Sequence, residues 1–233
     1  LLQYTRIHTV TVTEVLKKYE WDDKIFYDNI DENLKKYDQV FKEAGVYAKT
    51  IMNTVEELQI LDNTIIIFFT DHGTGVGERF GERNYGSFTY EETIRTFYHF
   101  IGSGIKKNIS SNSLLSTIDI FPTILELCQI KSTKNLPGNS FAKSLKNNID
   151  KLNDRKFTFS ETGALHGPYP SPNESNVFCI KSSEYKLIYL KDPNEFKFYD
   201  LKKDPNELKN MSGTGLEIED VMKERLLEWI NHV

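Results

Sequence analysis

The chain has 233 residues, of which 39% are hydrophobic and 27% charged, an ordinary globular composition that excludes disordered and fibrous classes. Its 29 basic and 34 acidic residues leave a net charge of −5, and the basic residues are scattered among acidic ones, so the broad positive field of a nucleic-acid binder is missing. The longest apolar run, Ile65 to Phe69, is too short to span a bilayer; Cys128 and Cys179 stand far apart without a CxxC or Cys/His cluster, which excludes a disulfide framework and a zinc knuckle and predicts two buried thiols.

Leu1 to Ile7 is apolar-rich and β-favouring with no turn or cap before it, and reads as a strand entered partway. From Asp31 to about Leu58, apolar residues recur at three- and four-residue spacing (Leu34, Tyr37, Val40, Phe41, Ala44 and onward), which predicts a long core-facing helix. Asp62-Asn63 turns into Thr64-Ile-Ile-Ile-Phe-Phe-Thr70, an unbroken run that fits a strand buried on both faces, as in a parallel sheet covered by helices. Asp71-His72-Gly73 follows, then a Gly-rich charged loop to Ser87; the carboxyl edge of an α/β sheet is where ligands bind. A short helix near Tyr90 to Arg95 and a strand at Thr96 to Ile101 come next, with His99 packed inside that strand. Ser116 or Thr117 caps a helix running to about Leu127, with Pro122 in its first turn.

Lys131 to Lys156 reads as polar linker and Phe157 to Ser160 as a further strand. After Ser171-Pro172 the pattern changes to short strands at Val177 to Ile180, Tyr185 to Leu190 and Phe196 to Tyr199, an antiparallel meander, closed by a helix from Glu217 to Val233. The predicted organisation is therefore an α/β core over residues 1–172 and a small antiparallel subdomain with a terminal helix over 173–233.

The sharpest chemical feature is Asp71-His72, a carboxylate and an imidazole side by side at the mouth of a buried strand; both can face a divalent cation if the backbone turns, which Gly73 permits. The other reading makes Asp71 a cap and His72 a solvated loop residue. His166 has only its Gly/Pro-rich loop to recommend it, and Glu161 at a strand end is a site residue or a turn former.

Thr64 to Gly73, then Gly77-Glu78-Arg79, then Tyr90-Glu91-Glu92-Thr93-Ile94-Arg95, resembles the sulfatase branch of the alkaline phosphatase superfamily. Ser116 to Thr123, Lys186-Leu187-Ile188 and Tyr199-Asp200-Leu201-Lys202-Lys203-Asp204-Pro205-Asn206-Glu207-Leu208-Lys209-Asn210 extend the resemblance through nearly the whole chain in the right order. It implies an alkaline-phosphatase-like, mostly parallel sheet covered by helices, with a small C-terminal antiparallel sheet. Asp71 and His72 match two metal ligands of the family, and His8 matches a histidine that contacts the sulfate or leaving group; read without the family, His8 is a surface histidine beside a threonine-rich turn.

The implied reaction is metal-assisted hydrolysis of a sulfate or phosphate ester through a covalent intermediate. A mixed Asp/His pair accepts Ca²⁺, Mg²⁺, Mn²⁺ or Zn²⁺, the histidine weighing against an all-oxygen calcium site. The family's nucleophile block is absent: neither Cys128 nor Cys179 has Pro two and Arg four residues on, so nucleophile and remaining ligands are expected upstream of Leu1, in the N-terminal part of the same protein. Gly86 stands where many sulfatases carry an anion-binding Lys, and Arg79 or Arg83 could replace it, a guanidinium fork suiting a tetrahedral oxyanion; each could equally pair with Glu78 or Glu82. The alternatives are a phosphoethanolamine or phosphoglycerol transferase of the same superfamily and a non-catalytic binding or structural module. An extracytoplasmic or envelope location follows from the resemblance alone.

Overall fold

A computed structural model describes residues 20–108, 110–147 and 154–232. The expected first strand and His8 lie outside those residues.

Helix α1 (Lys24–Asp28) starts on Asp23, whose carboxylate accepts the Ile25 and Phe26 N–H groups at 3.0 and 3.4 Å. Helix α2 (Ile30–Glu57) occupies the range that the apolar spacing predicts. Its stripe is only partly covered: Val40 is buried and Phe41 meets Phe97 edge-on at 6.4 Å, while Leu34, Tyr47 and Leu58 stay exposed.

Strand β1 (Ile65–Phe69) leads to the Asp71-His72 turn and pairs antiparallel with β4 (Tyr98–Gly102), from Ile65 opposite Gly102 to Phe69 opposite Tyr98. The sequence places β1 in a parallel sheet, buried on both faces. Among the described residues its strand neighbour is antiparallel, its residues are half-buried and Phe69 is exposed. An unbroken apolar run reports burial on both faces, which parallel sheets and sandwich cores share, so it does not by itself fix the direction of each neighbour. Between β1 and β4 lie the two-residue strands β2 (Gly75–Val76) and β3 (Arg83–Asn84), paired as a small hairpin, and the short helix α3 (Glu91–Ile94).

Helix α4 (Ile120–Leu127) follows a 3-10 turn at Thr117–Asp119, and Asp119 reaches back to accept the Ser116 N–H at 2.9 Å. Helix α5 (Ala142–Asn147) lies inside the stretch expected to be polar linker. Phe141, Ala142 and Leu145 bury there with Leu127 against Ile65 and Phe100, covering one face of the β1–β4 pair. His99 is exposed, because alternation along β4 turns it away from the neighbours of Phe100. Cys128, the residue that ends α4, is exposed too, and only Cys179 is the buried thiol expected of both.

Strands β5 (Thr158–Thr162), β6 (Val177–Lys181), β7 (Tyr185–Leu190) and β8 (Glu195–Asp200) form the antiparallel meander in that order. The sheet thus takes β5 from residues that precede the boundary expected at 172/173. Period-two alternation gives it two apolar faces. Phe178, Ile180, Leu187 and Phe198 pack under Met222 and Leu226 of α6 (Glu217–Ile230), with Trp229 stacked on Phe159 at 5.0 Å. Val177, Cys179, Ile188, Leu190 and Tyr199 face Phe88 and Tyr90, the segment leading into α3. Each such fully buried side chain contributes about 1.5–3 kcal/mol, so this second face fixes α3 on the C-terminal sheet.

Candidate metal site

β1 delivers Asp71 and His72 to an open edge, with side chains 76% and 37% exposed. The His72 N–H donates to Asp71 Oδ1 at 3.0 Å, which folds the carboxylate back over the turn. His72 Nδ1 lies 2.6 Å from the Gly73 carbonyl oxygen. A carbonyl only accepts, so this contact assigns a proton to Nδ1 and, in the neutral imidazole, leaves the Nε2 lone pair available. Nε2 stands 3.9 Å from Asp71 Oδ2, and the Tyr85 ring, 4.2 Å away, backs the imidazole. One carboxylate oxygen and one imidazole nitrogen of fixed tautomer fit a divalent cation, the backbone carbonyl acting as the outer hydrogen-bond partner that such ligands use. Among the described residues, no group of three or more His, Cys, Asp or Glu side chains gathers to hold a metal.

The turn is wedged against α3. Gly73 N–H donates to the Thr93 carbonyl at 2.8 Å, and a Cβ on Gly73 would come within 2.2 Å of the Glu92 carbonyl oxygen, so no other residue fits without displacing backbone. α3 is held in turn by charge. Glu91 accepts from Lys181 at 2.7 Å and from Lys186 at 3.2 Å, and Lys186 lies 2.9 Å from Glu207. The Lys186 and Glu207 side chains are both 0% exposed, and Glu207 Oε2 accepts the Glu91 N–H at 2.7 Å. Burial opposes charge on Glu91, but Lys186 and Lys181 outweigh it and hold that carboxyl below its ordinary value. Burial likewise opposes the Lys186 ammonium, and the facing carboxylates Glu207 and Glu91 keep it charged.

The two arginines expected at the anion are engaged elsewhere. Arg79 is paired with Glu92 at 2.5 Å, donates to the Glu207 carbonyl at 2.8 Å and to the Asn206 carbonyl, and lies over the Tyr90 ring at 3.9 Å. Arg83 is buried, paired with Asp23 at 3.1 Å and set over the Phe26 ring at 4.4 Å. Their guanidinium groups therefore clamp protein segments together, and the partners differ from the expected Glu78 and Glu82. Glu78 instead accepts the Val76 N–H at 2.6 Å.

Glu82 is 0% exposed. Burial, reinforced by the Glu92 carboxylate, pushes its carboxyl up to about 8. The Ser87 and Phe88 amides and Arg79 pull the other way. Those amides lie outside hydrogen-bonding geometry, and neither carboxyl oxygen has a hydrogen-bond partner among the described residues. His166 is exposed on a loop that docks through Gly167 onto Ser87, and Glu161 is exposed on β5. Sequence reasoning missed Glu82, Tyr85 and the Lys186–Glu207–Glu91 cluster. Lys186 alternates in register with Ile188 and Leu190, and a lysine in line with two core residues is the signal that would have found its buried partner.

Comparison with known proteins gives two family matches: residues 6–130 match Sulfatase, and residues 81–232 match N-sulphoglucosamine sulphohydrolase, C-terminal. Arylsulfatase K of Mus musculus is 26% identical over 211 residues, 89% of this chain and 37% of that protein. N-acetylglucosamine-6-O-sulfatase of Bacteroides thetaiotaomicron is 29% identical over 170 residues, 70% of this chain and 29% of that protein. The solved structure of BT4656 in complex with its substrate D-glucosamine-2-N,6-O-disulfate superposes with a TM-score of 0.67 at 26% identity, over 77% of this chain and 36% of that one. This chain spans about a third of the length of these relatives.

Proposed function

Because the chain belongs to the sulfatase family, we propose that it is the C-terminal portion of a metal-dependent sulfate ester hydrolase in which Asp71 and His72 are metal ligands. The observation that carries this reading is the turn itself: an exposed carboxylate beside an imidazole whose Nδ1 is committed to the Gly73 carbonyl, leaving Nε2 for a metal. The family generally uses a divalent metal, which when bound polarises the ester oxygen and offsets developing negative charge. This chain's own part is to hold two donors in place: Asp71 through the His72 N–H, His72 through Gly73 and the Tyr85 ring, and the turn through α3.

The nucleophile and the remaining ligands belong, in this reading, to an N-terminal part of the same protein. The share of the relatives that this chain spans and the partly uncovered stripe of α2 support that. Neither cysteine suits the role of nucleophile, because the family's Pro/Arg pattern follows neither, and burial pushes the Cys179 thiol up to about 11. His8 binds the anion or protonates the departing alkoxide, both within the range of an imidazole.

The test is hydrolysis by the full-length protein of an aryl sulfate and of the matching aryl phosphate, before and after chelation. Sulfate release that chelator abolishes and a divalent ion restores is the expected result. Phosphate release alone, or sulfate release indifferent to chelation, refutes the proposal. Sulfated amino sugars are the next esters to test, since a similar curated sulfatase is named for one and a similar solved structure holds one.

A further inference from the structure

The metal-ligand turn and the C-terminal sheet are joined by one continuous set of contacts. Gly73 is hydrogen-bonded to Thr93 and pressed against the Glu92 carbonyl, so the turn cannot shift unless α3 shifts. α3 has only four residues, and its side chains anchor it on one side to the sheet. Glu91 takes both Lys181 and Lys186, neighbours across β6 and β7, while its N–H goes to Glu207. Glu92 takes Arg79, which also donates to the carbonyls of Asn206 and Glu207. Glu207 is itself fixed by the turn after β8: its N–H donates to the Asp204 carbonyl at 3.1 Å, and Asp204 accepts the Leu208 and Lys209 N–H groups at 3.0 and 2.8 Å.

Buried charge at this density is a poor way to gain stability, since apolar residues of the same volume serve as well. What it supplies is a single geometry, because each charged group accepts few arrangements of its partners. We infer that Lys186 and Glu207 are positioning residues for the metal site: through Glu91 and α3 they set where Asp71 and His72 stand, so that the C-terminal sheet controls metal affinity in a turn it does not touch. The inference rests on the reading of Asp71 and His72 as metal ligands.

The experiment uses the full-length protein and Mn²⁺ alone as probe, with free Mn²⁺ read by electron paramagnetic resonance. Four variants are compared: Asp71→Ala, Lys186→Met, Glu207→Gln and Leu226→Ala. Leu226 lies in the core on the opposite face of the same sheet, so its truncation loosens the subdomain without touching α3. Asp71→Ala is expected to remove binding at the site. Lys186→Met and Glu207→Gln are each expected to weaken it about tenfold or more, the range for outer-shell partners of metal ligands, while Leu226→Ala loses stability and binds Mn²⁺ as the parent does. Should Lys186→Met fail to fold, Glu207→Gln carries the comparison, since it keeps the side-chain volume. Parental affinity in the folded Lys186 or Glu207 variant, or an equal loss in Leu226→Ala, overturns the inference while leaving the metal ligands in place. Parental affinity in Asp71→Ala refutes the metal reading, and the inference with it.

Discussion

Glu82→Gln isolates the electrostatic consequence of a buried carboxyl. The Glu82 side chain packs beside Gly75 of β2, and the charges of Glu92 and Arg79 act on its carboxyl. Its pKa rises from 4.5 to about 8 on folding, because burial and Glu92 both disfavour the charge. Between those values the folded protein holds a proton that the unfolded chain has released. Stability therefore falls as pH rises through the window, by about 1.4 kcal/mol per pH unit, and the loss is complete above the folded pKa. Over the whole interval the cost is of order 3–5 kcal/mol. Glutamine has nearly the same shape and does not titrate. At pH 5 the variant is expected within about 1 kcal/mol of the parent, the extra amide donors costing a little; at pH 8 it is expected to be the more stable by several kcal/mol. Urea unfolding of the full-length protein at pH 5, 6.5 and 8 reads both slopes. A variant that is less stable than the parent at pH 8, or that keeps the parental pH slope, means Glu82 is ionised and paired with Arg79, and the reasoning fails.

Gly73→Ala places a methyl group 2.2 Å from the Glu92 carbonyl oxygen; the full-length protein should lose about 1–3 kcal/mol of stability and retain less divalent metal, and parental metal content would show that the wedge does not position the turn. Arg79→Ala leaves the mostly buried Glu92 carboxylate without its partner and two carbonyls without a donor. It should lower stability by about 2–4 kcal/mol, whereas a raised KM with unchanged thermal stability would return Arg79 to the substrate. Arg155→Ala strips the fully buried Asp119 of a bidentate partner, one of whose bonds measures 2.7 Å. The expected loss is about 3–5 kcal/mol, read by thermal unfolding, with metal content unchanged.

What was legible in the sequence is what repeats. The α2 stripe, the strand alternation at Val177, Tyr185 and Phe196 and the terminal helix carry their period on their face, and the structure puts these elements within a few residues of the expected limits. α5 escaped because a helix of six residues with apolar anchors at Phe141, Ala142 and Leu145 completes too few turns to show a period among lysines and asparagines. Partner choice was illegible for a different reason. Arg79 meets the backbone of residues 206 and 207 across most of the chain's length, so the nearby Glu78 looked the better partner. The Asp71-His72 turn was legible because its chemistry and its position at a strand end coincide in consecutive residues. The contacts that hold it, through Gly73, α3, Lys186 and Glu207, were not, since only folding brings those segments together.

The central claim, that Asp71 and His72 hold a divalent cation, is tested most directly by elemental mass spectrometry of the full-length native protein beside its Asp71→Ala variant. The expected result is a stoichiometric divalent metal in the parent and its loss in a variant that remains folded. Equal metal content in the two, or none in either, contradicts the account.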